Sequence, residues 1–101
     1  MSNMQRIRGM LGFAARARKT VCGTELCSIA MAKGTAKLIV VSSGASAATK
    51  KKLFTKSEFY NIKAIEVELD TEELGRVVGK TCATAAVALT DQRFADEILK
   101  A

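Results

Sequence analysis

The chain has 101 residues, of which 49% are hydrophobic and 26% are charged, and its formal net charge is +6 at pH 7. This length predicts a single domain over residues 1–101, and the hydrophobic content is sufficient for a core, which excludes an intrinsically disordered chain. No segment approaches the roughly 20 apolar residues that a membrane span needs, and the N-terminus lacks the apolar region of a signal peptide.

Helical and extended patterns alternate along the chain. Apolar residues at intervals of three or four predict amphipathic helices, and short β-branched runs predict strands. Gly34 and Gly79 follow helical patterns and are typical of C-terminal stops. The predicted elements are, in chain order, helix 4–14, edge strand 20–22, helix 24–33, buried strand 37–41, a helix from the turn at 42–46 to about residue 60, strand 64–69, helix 71–78, extended run 84–89 and helix 92–99.

This alternation predicts an α/β fold with helices on both faces of the sheet. In the second helix we expect Leu26, Ile29 and Ala30 to face inward. Serines in the 42–46 turn are candidate N-caps for the third helix, and Thr90 or Asp91 is the candidate cap of the last helix.

Positive charge is concentrated in the first two-thirds of the chain. Residues 1–63 contain twelve Lys/Arg and two Asp/Glu, whereas residues 64–101 contain four Lys/Arg and eight Asp/Glu. A surface with one basic end predicts a polyanionic partner, most simply RNA or DNA. The alternative is a well-solvated surface on which the two halves of the chain mix in three dimensions.

Residues 14–44 carry the most informative functional pattern. Arg16, Arg18 and Lys19 precede Gly23, where the second helix begins. Free N–H groups and the positive dipole end of a helix attract phosphate, and nearby cations add attraction that does not depend on base sequence. This pattern predicts a nucleic-acid contact; the alternative is a solvated end of the first helix, where cations are also favourable.

Catalytic and metal sites are not indicated by the sequence. Histidine is absent, so the usual general base near neutral pH is missing. Gly79, Lys80 and Thr81 resemble the end of a phosphate-binding P-loop, but its first glycine falls on Leu74. Three cysteines without a C-x-x-C pair predict reduced thiols in a cytoplasmic protein, and we expect no metal and no cofactor.

Several segments together, in this order and spacing, resemble the kink-turn RNA-binding ribosomal proteins of the L-seven-Ae type, and in particular their small bacterial, YlxQ-like branch. The resemblance covers nearly the whole chain. The segments that carry it are LGFAARA at 11–17, GTEL at 23–26, KGTAKLIVV at 33–41, TKKKL at 49–53, ELGRVVGK at 73–80 and AAVAL at 85–89.

The resemblance implies a three-layer α/β/α sandwich around a four-stranded mixed sheet, with RNA bound at one end of the sandwich. In the family, a Gly-x-Asn-Glu motif at the start of the second helix meets the sheared G·A pairs of the kink-turn, and a lysine three residues later supports it. The loop before the last strand packs against flipped-out nucleotides. Here that loop is 81–84, and the alternative is an ordinary turn.

The motif positions differ from the family pattern in this chain. Gly23 and Thr24 match, whereas Glu25 stands at the asparagine, Leu26 at the glutamate and Ile29 at the lysine. An ionised carboxylate only accepts hydrogen bonds, so Glu25 can accept from a base amino group but repels phosphates. The alternative for Glu25 is a first-turn acid that the helix dipole stabilises.

The acidic pair that the family carries after its central strand is replaced by Ser43 and Gly44. The lysines at 50–52 and Lys56 predict one exposed helix face, and a separate RNA contact there is the alternative.

The leading hypothesis is a non-enzymatic, cytoplasmic RNA-binding protein, associated with the ribosome or translation and monomeric when free, that binds structured RNA including kink-turns. The alternative is a protein-interaction module that kept the fold and lost specific RNA recognition. The predicted RNA-contacting residues are Arg16, Arg18, Lys19, Gly23, Thr24, Glu25, Ser43, Lys80, Thr81, Cys82 and Ala83.

Overall fold

Helices and strands alternate along the chain in the predicted order. The structure, a computed structural model, describes residues 4–100, so residues 1–3 and 101 of the predicted domain lie outside the described residues. The elements within that part are α1 (Met4–Arg16), β1 (Thr20–Cys22), α2 (Thr24–Lys33), β2 (Leu38–Ser42), α3 (Ala47–Phe59), β3 (Lys63–Val67), α4 (Thr71–Val77), β4 (Ala86–Leu89) and α5 (Gln92–Lys100).

The four strands form one mixed sheet in the order β1-β4-β2-β3. Strands β2 and β3 are parallel, and β4 runs antiparallel to both β2 and β1. Strands β1, β2 and β3 therefore end on one side of the sheet, which we call the Gly23 end. They begin on the other side, which we call the Lys37 end after the residue that precedes β2.

Two hydrophobic cores lie on opposite faces of this sheet. Every residue of β2 is buried, and Leu38 and Val40 join one core while Ile39 and Val41 join the other. Helices α1, α4 and α5 cover the first face, and α2 and α3 cover the second. The predicted three-layer α/β/α sandwich with a four-stranded mixed sheet is confirmed.

The predicted orientation of α2 is wrong at two of its three residues. Ala30 is buried, but Leu26 is 53% exposed and Ile29 is 48% exposed. The buried residues are Cys27, Ala30 and Met31, which share a face because positions three and four apart lie together on a helix. Hydrophobicity alone predicts leucine and isoleucine on the inner face, whereas the structure turns Cys27, Ala30 and Met31 toward the sheet.

Helix caps occur where the turn chemistry predicts them. The Ser46 hydroxyl accepts a hydrogen bond from the backbone N–H of Thr49 and caps α3. The carboxylate of Asp91 accepts from the N–H of Arg93 at the start of α5. Ser42 instead belongs to β2, and its hydroxyl donates to the carbonyl of Leu69.

Helix α4 holds the chain that follows it against its own surface. A Cβ added to Gly75 would collide with the carbonyl oxygen of Cys82, so only glycine permits this approach. The N–H of Thr84 donates to the carbonyl of Thr71 at 2.9 Å. These contacts position residues 80–84 at the Gly23 end of the sheet.

We expect Gly75→Ala to lower the free energy of unfolding by about 1–3 kcal/mol, because the added methyl group must displace the Cys82 backbone. Urea denaturation measures the change. Gly9→Ala is the matched control: Gly9 lies inside α1, nothing approaches its Cβ position within 4 Å, and alanine favours a helix. The control should raise stability by up to about 1 kcal/mol. Equal effects of the two substitutions would contradict the close approach.

Candidate nucleic-acid interface

The start of α2 and the 80–84 loop meet at the Gly23 end of the sheet. Cys22, Gly23 and residues 80–84 line one open cleft of about 230 Å³. The two segments are nearly sixty residues apart in the chain, and the fold brings them together. The N–H of Gly23 donates to the carbonyl of Ala86, which fixes this junction to the first residue of β4.

Gly23 is the N-cap residue of α2 and adopts a backbone that favours glycine, with φ of 102°. Among residues 4–100 no side chain caps this helix, so the N–H groups of its first turn have no side-chain acceptor in that range. Such a helix start provides hydrogen-bond donors and a positive dipole end for an anion.

Thr24 and Glu25 form the first turn of α2. Thr24 is partly buried, and its carbonyl accepts a hydrogen bond from the Ser28 hydroxyl at 3.1 Å. Glu25 is exposed and has no ion pair within residues 4–100. This placement suits a base amino group as an approaching donor, and it equally suits an acid stabilised by the helix dipole.

Ser43 lies at the same end of the sheet but outside the cleft. It is exposed, and its backbone N–H donates to the carbonyls of Val67 and Leu69 at 3.0 and 3.2 Å. A Cβ on the adjacent Gly44 would lie 3.3 Å from backbone atoms of Asp70 and Thr71. The turn is therefore held against the start of α4.

The basic run lies farther from Gly23 than its position in the sequence indicates. Strand β1 separates them, and the carbonyl of Lys19 accepts from the N–H of Thr90, beyond the last residue of β4. Lys19 is therefore at the Lys37 end of the sheet. At about 3.3 Å per residue, roughly 13 Å of backbone separates it from Gly23.

Arg18 closes α1 in a left-handed conformation, with φ of 60°. Its N–H donates to the carbonyl of Ala15, and the N–H of Lys19 donates to the carbonyl of Ala14. Glycine is the usual residue at such a helix end, because a side chain costs about 1–2 kcal/mol in this conformation.

Arg16 and Arg76 line one open cavity of about 480 Å³ between the ends of α1 and α4. Arg76 also borders a neighbouring cleft with Glu72 and residues 80–83. The guanidinium of Arg16 lies 4.9 Å from the centre of the Phe13 ring. Arg16, Arg76 and Lys80 thus form a basic strip that leads to the cleft.

Arg76 is absent from the sequence-predicted set. In the sequence, Arg76 is recognisable only as a basic residue in the last turn of a helix, just before Gly79 and Lys80. Basic residues at this position are also typical of helices whose C-terminal end they stabilise through the dipole. Arg76 and Lys80 are exposed and form no ion pair within residues 4–100. Tertiary packing, which brings α4 beside α1, makes Arg76 part of this surface.

The three cysteines differ in environment. Cys82 is exposed in the loop, Cys22 is partly buried and Cys27 is fully buried. Burial and then the neighbouring Cys22 thiol raise the pKa of Cys27 to about 12, so Cys27 is a neutral thiol near neutral pH. Cys27 is a packing residue in the core beneath α2.

We expect a thiol-specific reagent at neutral pH to modify Cys82 rapidly and Cys27 only on global unfolding, because modification needs an accessible thiolate. Peptide mass spectrometry after timed labelling assigns the rate to each cysteine. The Cys82→Ser variant is the control and should remove the fast phase. A fast phase that persists in this variant at Cys27 would contradict the buried position.

Metal-binding clusters and membrane-spanning helices are both absent from the part of the chain that the structure describes. Within residues 4–100, no group of three or more His, Cys, Asp or Glu side chains is arranged to hold a metal ion. No helix in the same range has both the length and the apolar character needed to cross a membrane.

Comparison with known proteins agrees with this architecture. The sequence model of the ribosomal protein L7Ae/L30e/S12e/Gadd45 family matches residues 5–99. The chain belongs to this family. The L-seven-Ae-type resemblance inferred from the sequence, with its YlxQ-like branch, is confirmed.

Two bacterial relatives match more than three quarters of the chain. RNA-binding protein YlxQ of Bacillus subtilis (strain 168) is 39% identical over 90 residues, which are 89% of this chain and 88% of that protein. RNA-binding protein YlxQ of Enterococcus faecium is 33% identical over 78 residues, 77% of this chain and 75% of that protein.

Among solved structures, a protein of unknown function from Bacillus halodurans C is 33% identical, with a TM-score of 0.88 over 94% of each chain. The 15.5kD RNA binding protein of Giardia lamblia has a TM-score of 0.82 at 12% identity, over 95% of this chain and 81% of that one. At this identity the second likeness concerns the fold alone.

Proposed function

We propose that this chain is a non-enzymatic RNA-binding protein that binds structured RNA at the Gly23 end of its sheet. The observation that carries the proposal is the shared cleft of Gly23 and the 80–84 loop, which a strip of Arg16, Arg76 and Lys80 borders. Membership of the L7Ae-type family and the names of the YlxQ relatives support RNA as the partner.

Phosphate contacts dominate this binding. The uncapped first turn of α2 offers backbone N–H groups, and the basic strip neutralises charge on the RNA backbone. Arg18 and Lys19 extend the contact along the edge strand β1. Such contacts position the RNA without identifying its bases.

The 80–84 loop meets unpaired nucleotides. The exposed residues Thr81, Cys82 and Ala83 carry small side chains, so a base can approach the backbone closely. No aromatic ring in this loop stacks on a base, and contact is through apolar atoms and backbone groups. Base identity therefore has a limited effect on affinity.

Kink-turn RNA is bound with a modest preference over a plain duplex. Glu25 lacks the hydrogen-bond donor of the asparagine that the family motif carries, and Leu26 and Ile29 replace the charged residues of that motif.

We further propose that the protein acts in the cytoplasm as a monomer. We also propose that it associates with the ribosome or with translation, in line with the ribosomal proteins of its family.

A protein-interaction module is the second candidate function. Leu26 and Ile29 are 53% and 48% exposed, and their spacing of three residues places them side by side on α2. An exposed apolar pair at the motif positions suits a protein partner better than a phosphate backbone. Binding through this pair would hardly depend on salt, whereas RNA binding weakens steeply as salt rises.

We expect Arg18→Gly combined with Lys19→Gln to weaken binding to every structured RNA by a similar factor. The slope of log affinity against log salt should fall by about 0.7–0.9 for each lost phosphate contact. Filter binding at several salt concentrations measures both quantities. Glycine at position 18 suits the left-handed backbone, so the free energy of unfolding should stay unchanged or rise by up to about 1 kcal/mol.

The matched control is Lys51→Gln with Lys52→Gln, which removes the same charge from the exposed face of α3. It should leave the salt slope unchanged. If Arg18→Gly with Lys19→Gln also retains the wild-type salt slope, Arg18 and Lys19 do not contact RNA.

Bound RNA should also slow the labelling of Cys82 by the thiol reagent. Equal labelling rates with and without RNA would favour the protein-interaction module.

Glu25→Asn should raise affinity for kink-turn RNA, because the amide restores a donor and removes a negative charge beside the phosphates. Glu25→Gln is the control that removes the charge but keeps the longer side chain. Competition between kink-turn RNA and a plain duplex measures specificity. A wild-type preference of about 10³-fold or more would contradict the proposed limited base recognition.

A further inference from the structure

The Lys37 end of the sheet carries a second cluster of positive charge. Lys37 precedes β2, Lys63 opens β3, and Lys63 is paired with Leu38 in parallel register. Because neighbouring strands lie about 4.8 Å apart, the backbones of Lys37 and Lys63 are adjacent. Lys33 closes α2 four residues before Lys37. Three lysines from different elements therefore converge on one end of the sheet.

These lysines are not neutralised within the described part of the chain. Lys33, Lys37 and Lys63 are exposed, and none of them forms an ion pair within residues 4–100. Two carboxylates lie near this end. Glu58 is in the last turn of α3, and Asp91 lies 3.7 Å from the guanidinium of Arg93. The Lys37 end is therefore attractive to a polyanion.

Two exposed aromatic rings accompany the lysines. Phe59 is 79% exposed and Tyr60 is 38% exposed, where α3 ends. Their ring centres are 4.9 Å apart with an angle of 89° between the planes. Lys56 lies one turn before them, since the N–H of Tyr60 donates to its carbonyl, and Lys63 follows three residues after Tyr60. Aromatic rings among cations are the pattern that binds single-stranded nucleic acid.

We propose that the Lys37 end is a second RNA-contact surface, which takes a single-stranded segment flanking the structured RNA bound at the Gly23 end. Bases stack on Phe59 and Tyr60, and the lysines neutralise the phosphates between them. This inference rests on the proposed function, because it takes RNA to be the polyanion that binds at the Lys37 end. Strand β2 has five residues, so about 17 Å separates the two ends of the sheet, and an unpaired extension has to cross this distance.

Intrinsic fluorescence reports this surface directly, because Tyr60 is the only tyrosine of the chain and tryptophan is absent. The experiment titrates the protein with a structured RNA that carries an oligouridylate tail of about ten nucleotides, and with the same RNA without the tail. We expect the tail to quench Tyr60 emission and to raise affinity about fivefold or more. The tail-less RNA should bind without quenching.

Two variants separate stacking from charge. Phe59→Ser should remove the affinity gained from the tail without changing the net charge. Lys37→Gln with Lys63→Gln should also remove it and should lower the salt slope by about 0.7 for each lost contact with a single strand. Lys51→Gln with Lys52→Gln is the control, because it removes the same number of positive charges from α3. This control should retain the affinity gained from the tail. Circular dichroism verifies that each variant keeps its helices.

Equal affinity for the tailed and tail-less RNA, or a tail that leaves Tyr60 emission unchanged, would overturn the proposal. If polyglutamate competes with the tail on the wild-type protein as well as free oligouridylate does, the surface suits an acidic protein partner, and this result would also overturn the proposal. The experiment distinguishes this failure from a failure of the proposed function at the Gly23 end. In the second case the tail-less RNA would not bind, while Tyr60 emission would still respond to the tail.

Discussion

The burial of β2 is the constraint on which the rest of the structure depends. Its side chains alternate between two cores, and its backbone is paired on one side with β3 and on the other with β4. A slip of one residue would exchange the contents of the two cores, so the register is strongly specified. Because β2 and β3 run parallel, their C-terminal turns lie together, and this arrangement creates two chemically different ends of one sheet.

The Gly23 end is assembled from segments that lie far apart in the sequence. The close approach of Gly75 to Cys82 and the hydrogen bond from Thr84 to Thr71 hold the 80–84 loop against α4. The contact between Gly23 and Ala86 brings the start of α2 to the same place. The candidate interface is therefore supported by the packing of α4 as much as by the residues on its surface. A substitution beneath the loop would change the shape of this cleft without altering any residue on its surface.

Charge in the folded protein is arranged differently from charge along the chain. Arg6, Arg8 and Lys50 of the basic half pair with carboxylates of the acidic half, Glu97, Glu73 and Glu66. These exposed pairs contribute little stability each, but they neutralise three cations of the basic half. Cations without an ion pair within residues 4–100 lie beside β1 and α4, at the Lys37 end and on the exposed face of α3. Positive charge is therefore present at both ends of the sheet.

The sequence by itself determined the order of the elements and the α/β class, because periodicity is a local property. Turn chemistry narrowed the helix caps to the serines of 42–46 and to Thr90 or Asp91, and the structure selects Ser46 and Asp91. The L7Ae-type resemblance added the sandwich and the position of the Gly23 end. The resemblance also indicated part of the candidate site, since Gly23 lies in a segment that carries it and residues 81–84 join two such segments. Their binding role stays a prediction.

Tertiary structure alone decided the features that depend on contacts between elements. Hydrophobicity predicted that Leu26 and Ile29 face inward, yet Cys27 and Met31 face the sheet instead, so contacts between elements set the rotation of α2. Lys19 lies at the Lys37 end of the sheet, away from Gly23, because β1 pairs with β4. Arg76 joined Arg16, and Lys37 joined Lys63, only when the chain folded, because no local pattern specifies which distant charges become neighbours.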